Sequence, residues 1–513
     1  MKMKWKKQAI LTRISPLIIA FSSLVFLYAE NVDRVPLYQV VRSILATILF
    51  VFFVQIILLV LIKSRVRAAF TTGIILFVCF FYGHFTTYIP HFELIRLQTF
   101  VVGKNTFLVA IVLIFFFIFV FWARKTKRKC VNGLFFISTL AIIMISMNLF
   151  RIGKHWVRIK LSNPSMHKHE SIELKGKLNY LPDIYYIILD MHARGDVLED
   201  VYGYKDDFFI PKLTEMGFFV ASESSANYPT TYESIASSLN LNYLDEIIGT
   251  NQPTTSTVIS LVEENQTAKN LKKLGYTYVL FKSGYAIVDK SPLAGYTIEY
   301  SLGLNRFEKL FINTTIFSQV IERMNADINT FHRQRVLYFF QQLKKIPDDK
   351  GPTFTFAHFV TPHWPFVFDA SGNPVSTKSY NGKYDYPKSK KEYQRKYLDQ
   401  LVFTDKQILE VVSGIIKFSD NPPIIIIQSD HGPSSEIDWE NFDKLSESET
   451  NYNPKSEISK IERIGILNAY YFPDNNYQNI YSAITPVNTF RVVFNQFFGS
   501  SYKLVEDMTV ESE

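Results

Sequence analysis

Asp430 and His431 stand side by side near the end of PPIIIIQSDHGPSS, residues 422–435. A carboxylate next to an imidazole suits a borderline divalent metal, which accepts both oxygen and nitrogen ligands. Asp190 closes another apolar run, DIYYIILD over 183–190. A third group lies in NYPTTYESIASSLN, 227–240, where a proline-led turn enters a helix that begins near Thr230 or Thr231. Thr230 with Glu233 three residues on matches a capping box. With Thr230 as the cap, Thr231 falls in the first turn, where free N–H groups and the helix dipole favour an anion. A hydroxyl there, coordinated to a divalent cation, loses its proton more readily and can attack phosphorus. Two carboxylates, one imidazole and one hydroxyl favour manganese, with zinc or magnesium as alternatives.

These groups need elements that carry them to one place. The β-branched run Ile424–Ile427, bounded by prolines before and glycine–proline after, reads as a strand buried on both faces. Its carboxyl end is where open α/β sheets put their chemistry. The plainer alternative is a strand that merely ends in polar loop residues. Further strands are expected over 183–190, 216–226, 276–281, 352–360 and 466–473, with helical lengths between them. That alternation predicts an α/β sandwich with a largely parallel sheet. Thr485 and Pro486 open a last helix as N-cap and first helical residue. The polar stretch 436–462 reads as a surface excursion beside the site.

The 513 residues divide into unlike parts. Residues 1–150 are dominated by Ile, Leu, Phe and Val, and five stretches are long enough to span a bilayer: about 10–29, 43–62, 69–89, 106–122 and 131–150. Lysines 2, 4, 6 and 7 precede the first; Lys63, Arg65 and Arg67 follow the second; Arg124 to Lys129 follow the fourth. By the positive-inside rule the N-terminus is cytoplasmic and everything after residue 150 lies outside, on a multi-pass plasma-membrane protein. In RIGKHWVRIKL, 151–161, Ile152, Trp156 and Ile159 share a helical face among basic residues, as in a helix lying in the headgroup layer. Residues 162–182 read as a tether, and 183–513 as the α/β domain. The net charge of +8 is no nucleic-acid signal, because the basic residues concentrate beside apolar segments. Cys79 and Cys130 are the only cysteines, so the α/β part has neither a disulfide framework nor a cysteine metal site.

Together these pieces resemble the alkaline phosphatase/sulfatase superfamily, and within it the membrane-anchored branch of lipoteichoic acid synthases and phosphoethanolamine transferases. The resemblance covers essentially the whole chain. It implies a sulfatase-like catalytic domain behind a five-helix transmembrane domain. It implies metal ligands at Asp190, Thr231, Asp430 and His431, with Thr231, rather than Thr230, as nucleophile. The family's histidine near the substrate phosphate maps to His363, in a loop between two prolines, or less well to His358, which reads as a buried structural residue. His192 and Arg194, just past Asp190, are within reach of a phosphate oxygen or else belong to a solvated loop. Zinc-rich relatives carry another histidine after Asp-His-Gly, but His431 is the last histidine here, so one metal is favoured over two. Formylglycine sulfatase chemistry, which needs a cysteine or serine in a C/S-x-P-x-R context, is not expected, because the α/β part has no cysteine and SSANYPTTYES has no arginine.

The resemblance implies transfer of a phosphoglycerol or phosphoethanolamine group from a phospholipid donor to a glycan or glycolipid acceptor of the cell envelope. A phosphodiesterase or phosphatase on the same fold is one alternative, with water in the acceptor's place. A membrane-assembly or sensor protein that lost its activity is the other.

Overall fold

The computed structural model describes residues 2–510 apart from 33–34, 36, 88, 90–92, 98–99, 127–129, 162–178, 250–254, 286, 301–303, 319–328, 349–350, 376–386 and 437–455. Most of the expected tether and most of the polar excursion lie outside the described residues. The chain forms two compact units.

The first unit holds residues 1–161 and the described part of Leu304–Ala326. Its helices are α1 (Lys2–Glu30), α2 (Val41–Ile62), α3 (Arg65–Phe80), α4 (Tyr82–Thr87), α5 (Lys104–Lys125) and α6 (Val131–Leu161). A short hairpin of β1 (Glu93–Leu97) and β2 (Phe100–Gly103) precedes α5. Among the described residues, four helices are long and apolar enough to cross a membrane, over Thr12–Glu30, Leu37–Ile62, Thr106–Lys125 and Val131–Val157. The third expected span falls on α3 and α4, which break at Phe81. The 16 residues of α3 rise only about 24 Å, less than a hydrocarbon core of about 30 Å.

The apolar side chains of α2 and α5 that point away from the unit, such as Phe53, Val60, Phe117 and Phe121, are exposed. Such faces suit a lipid solvent rather than water. At one end Arg67 donates to the carbonyls of Ala123, Arg124 and Thr126, satisfying the C-terminal turn of α5 with a cation. The expected interfacial segment is the last part of α6, continuous with the helix before it. A feature the sequence did not signal is the helix Arg306–Thr314, which belongs to this unit. Asn305 and Glu308 form its capping box, Phe307 is fully buried against Tyr28 and Val40, and Arg42 pairs with Glu308 at 2.9 Å.

The second unit is built on a seven-stranded sheet. Its strands are β3 (Ile184–Leu189), β4 (Phe219–Val220), β5 (Thr277–Lys282), β6 (Tyr296–Glu299), β7 (Thr353–Phe359), β8 (Ile424–Gln428) and β9 (Asn468–Tyr471), in the order β4-β9-β8-β3-β7-β5-β6. Each strand except β6 overlaps a stretch expected from the sequence, β5 running one residue past its expected end. The sheet is mixed rather than largely parallel: β9 runs antiparallel to both β8 and β4, while the remaining pairings are parallel. The reason lies in the β8–β9 connection. Gln428 ends β8 opposite Asn468, the first residue of β9, so the chain leaves and re-enters the sheet at one edge without a crossover.

Central strands β3, β7 and β8 are buried along their whole length. One face packs Tyr186, Phe356 and Ile426 against the helices Thr231–Leu239 and Pro486–Phe497. The other packs Ile187, Phe359 and Ile427 against Thr330–Leu343 and Lys390–Phe418. Apolar burial on both sides fixes the register, because a one-residue slip would exchange the two faces.

Candidate active site and metal centre

That register brings the acids together. Ile188 pairs with Gln428, so Asp190 and Asp430, each two residues on, leave one sheet edge side by side. Asp190, Asp430 and His431 are buried and offer ligand atoms within 4.8 Å of one another. From His431 Nε2, Asp190 Oδ1 lies at 3.8 Å and Asp430 Oδ2 at 3.6 Å. Both oxygens are buried without a hydrogen-bond partner among the described residues. Two dry, unpaired carboxylate oxygens are costly to a fold unless a cation meets them. The donor set therefore fits a divalent ion.

The imidazole is set for the same task. His431 Nδ1 donates to the Gly432 carbonyl at 3.0 Å, which leaves Nε2 with its lone pair toward the acids. Thr231 Oγ1 lies 3.0 Å from that Nε2. Thr231 is the first residue of its helix and is fully buried. Thr230 occupies the N-cap position with extended backbone, but its hydroxyl donates to Glu233 Oε2 at 2.5 Å rather than accepting from the helix. The expected capping box is therefore not formed. Asp430 Oδ1 accepts from the main chain of His431 (3.0 Å) and Met191 (3.4 Å). Met191 holds φ at 66°, a left-handed conformation that side chains rarely adopt and that is retained mainly where surroundings demand it.

The two candidate phosphate histidines both border Asp190. His358, fully buried on β7, has Nε2 3.3 Å from Asp190 Oδ2 and Nδ1 3.3 Å from Ser283 Oγ. The main chain of His363 donates to the Asp190 carbonyl at 3.0 Å, and its Nδ1 meets the Trp364 carbonyl. Burial alone would raise the Asp190 carboxyl, but His363, His358 and His431 outweigh it and hold the group well below the ordinary carboxylate range.

His192 and Arg194 are engaged elsewhere. Arg194 forks onto Asp196 at 2.6 and 2.8 Å and donates to the Ser224 carbonyl. His192 is buried with Nε2 2.8 Å from Asp405 and Nδ1 3.0 Å from the Ala193 carbonyl. Burial opposes protonation of the ring and Asp405 more than offsets it, so the His192 pKa is raised; burial likewise raises the Asp405 carboxyl. Asp405→Ala would break this buried pair and leave His192 Nε2 without its partner. It is expected to destabilise the protein by about 3–5 kcal/mol, read from denaturant unfolding of the purified chain.

Two groups at the site escaped the sequence reading. Arg463, at the end of the helix Glu457–Ile464, reaches the carbonyls of Pro229 and Gly432 and the ring of His431. In the sequence it stands among Glu457, Lys460 and Glu462, and nothing marks it out from them. Behind His358, Ser283 Oγ donates to Asp289 Oδ1 at 3.2 Å, and Arg335 donates to the Ser283 carbonyl. Burial pushes Asp289 up to about 6 despite Arg335 nearby. No spacing in the sequence links these residues to Asp190.

The sulfatase family model matches residues 182–491. No curated protein sequence matches the chain. Among solved structures, the integral membrane protein lipooligosaccharide phosphoethanolamine transferase A from Neisseria meningitidis is 11% identical, covers 94% of each chain and superposes with a TM-score of 0.43. The C-terminal periplasmic domain of a phosphoethanolamine transferase from Campylobacter jejuni is 14% identical over 65% of this chain and 95% of its own, TM-score 0.40. A phosphonate monoester hydrolase of Agrobacterium radiobacter is 11% identical over 61% of this chain and 73% of its own, TM-score 0.37. With more than half of its length matched by that one family model, including all four residues of the Asp190–Thr231–Asp430–His431 cluster, the chain belongs to the sulfatase family.

Proposed function

We propose that the protein transfers a phospholipid-derived phosphoglycerol or phosphoethanolamine group to a cell-envelope glycan or glycolipid through an intermediate on Thr231. The observation that carries this reading is the Thr231 hydroxyl, 3.0 Å from the same His431 Nε2 that lies 3.8 Å from Asp190 Oδ1 and 3.6 Å from Asp430 Oδ2, two buried oxygens with no hydrogen-bond partner among the described residues. Asp190, Asp430, His431 and Thr231 would hold one divalent ion, manganese in preference to zinc or magnesium. When bound, that ion supplies Lewis-acid stabilisation of the threonine alkoxide and of the charge developing on phosphorus.

The chain's own residues do the rest. The helix N-terminus holds Thr231 Oγ1 in place and offers its N–H groups to the phosphoryl oxygens. Thr231 Oγ1, as the alkoxide after losing its proton to solvent, forms a bond to phosphorus as the P–O bond to diacylglycerol breaks. His363 is placed in this reading to hand a proton to the departing oxygen. An acceptor hydroxyl then attacks phosphorus, gives its proton back to His363, and releases Thr231 as the alkoxide. We read α3 and α4 as completing a fifth pass, with the N-terminus cytoplasmic, residues 151–182 as juxtamembrane linker and 183–513 outside. Membrane anchoring would keep headgroups within reach and remove a bimolecular search.

The test uses the purified full chain with Mn²⁺ and vesicles of phosphatidylglycerol or phosphatidylethanolamine, each labelled in the headgroup. Diacylglycerol release and a headgroup–phosphate adduct on the Thr231 peptide are expected. Absence of both overturns the reading, and headgroup phosphate appearing free in solution even with acceptor present reassigns the protein as a hydrolase.

A further inference from the structure

We propose that Ser283 and Asp289 are positioning residues that act through His358 to hold Asp190 with Oδ1 turned to the metal. The inference rests on Asp190 being a metal ligand, and not on which group the protein transfers.

The sheet itself lines these residues up. β3, β7 and β5 are consecutive neighbours and run parallel. Ile188 pairs with His358 and Phe281 with Ala357, so Asp190 and Ser283 leave the sheet on either side of β7. The buried ring of His358 lies between them, with Nε2 3.3 Å from Asp190 Oδ2 and Nδ1 3.3 Å from Ser283 Oγ.

The Ser283 hydroxyl decides how that ring is held. A hydroxyl has one hydrogen and two lone pairs. Its hydrogen goes to Asp289 Oδ1 at 3.2 Å, and one lone pair accepts from Tyr285 N at 3.1 Å. The lone pair that is left can meet Nδ1 only as an N–H donor. Asp289 is fixed in turn by Gly284 N, which donates to Oδ2 at 2.9 Å and to Oδ1 at 3.2 Å. Gly284 holds φ at 88°, and a Cβ there would lie 1.8 Å from Arg335 Nη1, which donates to the Ser283 carbonyl at 2.9 Å. The turn is thus closed around the serine, and its contact with His358 leads back to the acids.

With Nδ1–H directed at Ser283, the ring presents Nε2 to Asp190. A bare lone pair there would face a carboxylate oxygen between two buried groups, at a cost nothing offsets. Nε2 therefore meets Oδ2 as a donor; burial opposes the charge this gives the ring, and Asp190 outweighs it. Oδ2 is then engaged. Oδ1, 3.8 Å from His431 Nε2 and without a hydrogen-bond partner among the described residues, is the oxygen left for the ion. A carboxylate held by one oxygen keeps the other aimed at its metal.

The experiment titrates the purified full chain with Mn²⁺ at a pH above the Asp289 value, raised by burial to about 6, and reads free Mn²⁺ by electron paramagnetic resonance. Ser283→Ala is expected to weaken Mn²⁺ binding about 10-fold to 100-fold, the loss typical of a ligand's supporting partner. Asp289→Ala, which frees the serine hydrogen to turn toward Nδ1, is expected to lose a similar factor, and the two together no more than either alone. In a His358→Ala background, where the link to Asp190 is already cut, adding Ser283→Ala should change the affinity no further. The same comparison on His358→Gln, which also lacks Nδ1, serves if His358→Ala does not fold. Parental affinity in folded Ser283→Ala or Asp289→Ala overturns the proposal. So does an equal loss with and without His358, since the serine would then only shape its own turn. A parent that binds no Mn²⁺ overturns the metal reading and this one with it. Ser283-dependent Mn²⁺ binding in a protein that forms no Thr231 adduct from lipid would remove the transferase reading and leave this inference standing.

Discussion

Thr231→Ala is expected to slow diacylglycerol release by about 10⁴-fold or more, the loss typical when a covalent nucleophile is removed from a site whose other groups remain. The adduct should vanish with it. Thr231→Ser, which keeps the hydroxyl at the same helix start, should retain both adduct and measurable turnover. The informative control is the neighbouring threonine. Thr230 holds the N-cap position and donates to Glu233, whereas Thr231 faces His431. Thr230→Ala should therefore cost about 1 kcal/mol of stability, through loss of its hydrogen bond to Glu233, and leave the adduct on residue 231. The measurement is peptide mass spectrometry on the 227–240 segment, paired with initial rates of lipid turnover. A Thr231→Ala protein that releases diacylglycerol normally would remove the nucleophile from the account.

How much of this was readable beforehand follows from the range of each interaction. β8 was legible because four isoleucines buried on both faces leave few other conformations, and Asp430 and His431 come attached to its end. Asp190 was legible for the same reason on β3. Their nearness in space was not, since it depends on β3 and β8 being sheet neighbours in a given register, across more than 230 intervening residues. The antiparallel turn of β9 was missed because strand direction leaves no trace in the period of apolar residues. Arg463 was missed with it, as its segment reaches the site only through that uncrossed return. His192 and Arg194 share the loop that follows Asp190, yet Asp405 and Asp196 claim them; proximity in sequence said nothing about which way the side chains turn.

Withdrawal of the metal should show in stability as well as in turnover. The buried oxygens Asp190 Oδ1 and Asp430 Oδ2 have no hydrogen-bond partner among the described residues, so an ion that binds the folded site stabilises it by mass action. At free metal 100-fold above its dissociation constant the gain is about 2.7 kcal/mol. For a unit of this size that corresponds to a fall of about 4 °C in melting temperature on chelation, with activity lost in parallel. Asp430→Asn gives the sharper result. Its amide oxygen can still accept from the main chain of His431 and Met191, as Asp430 Oδ1 does. Its nitrogen would take the place of Oδ2, 3.6 Å from the His431 Nε2 lone pair, replacing an unpaired anion with a donor. Repulsion between the two carboxylates is removed at the same time. The variant should bind metal more than about 100-fold more weakly, beyond the loss seen when only a ligand's supporting partner is changed. Yet in chelator it should melt above the chelated parent, by a few degrees, and be indifferent to added Mn²⁺. Calorimetry of both proteins with and without chelator decides it: a chelated Asp430→Asn protein that melts below the chelated parent would mean that the two acids are held for some purpose other than a cation.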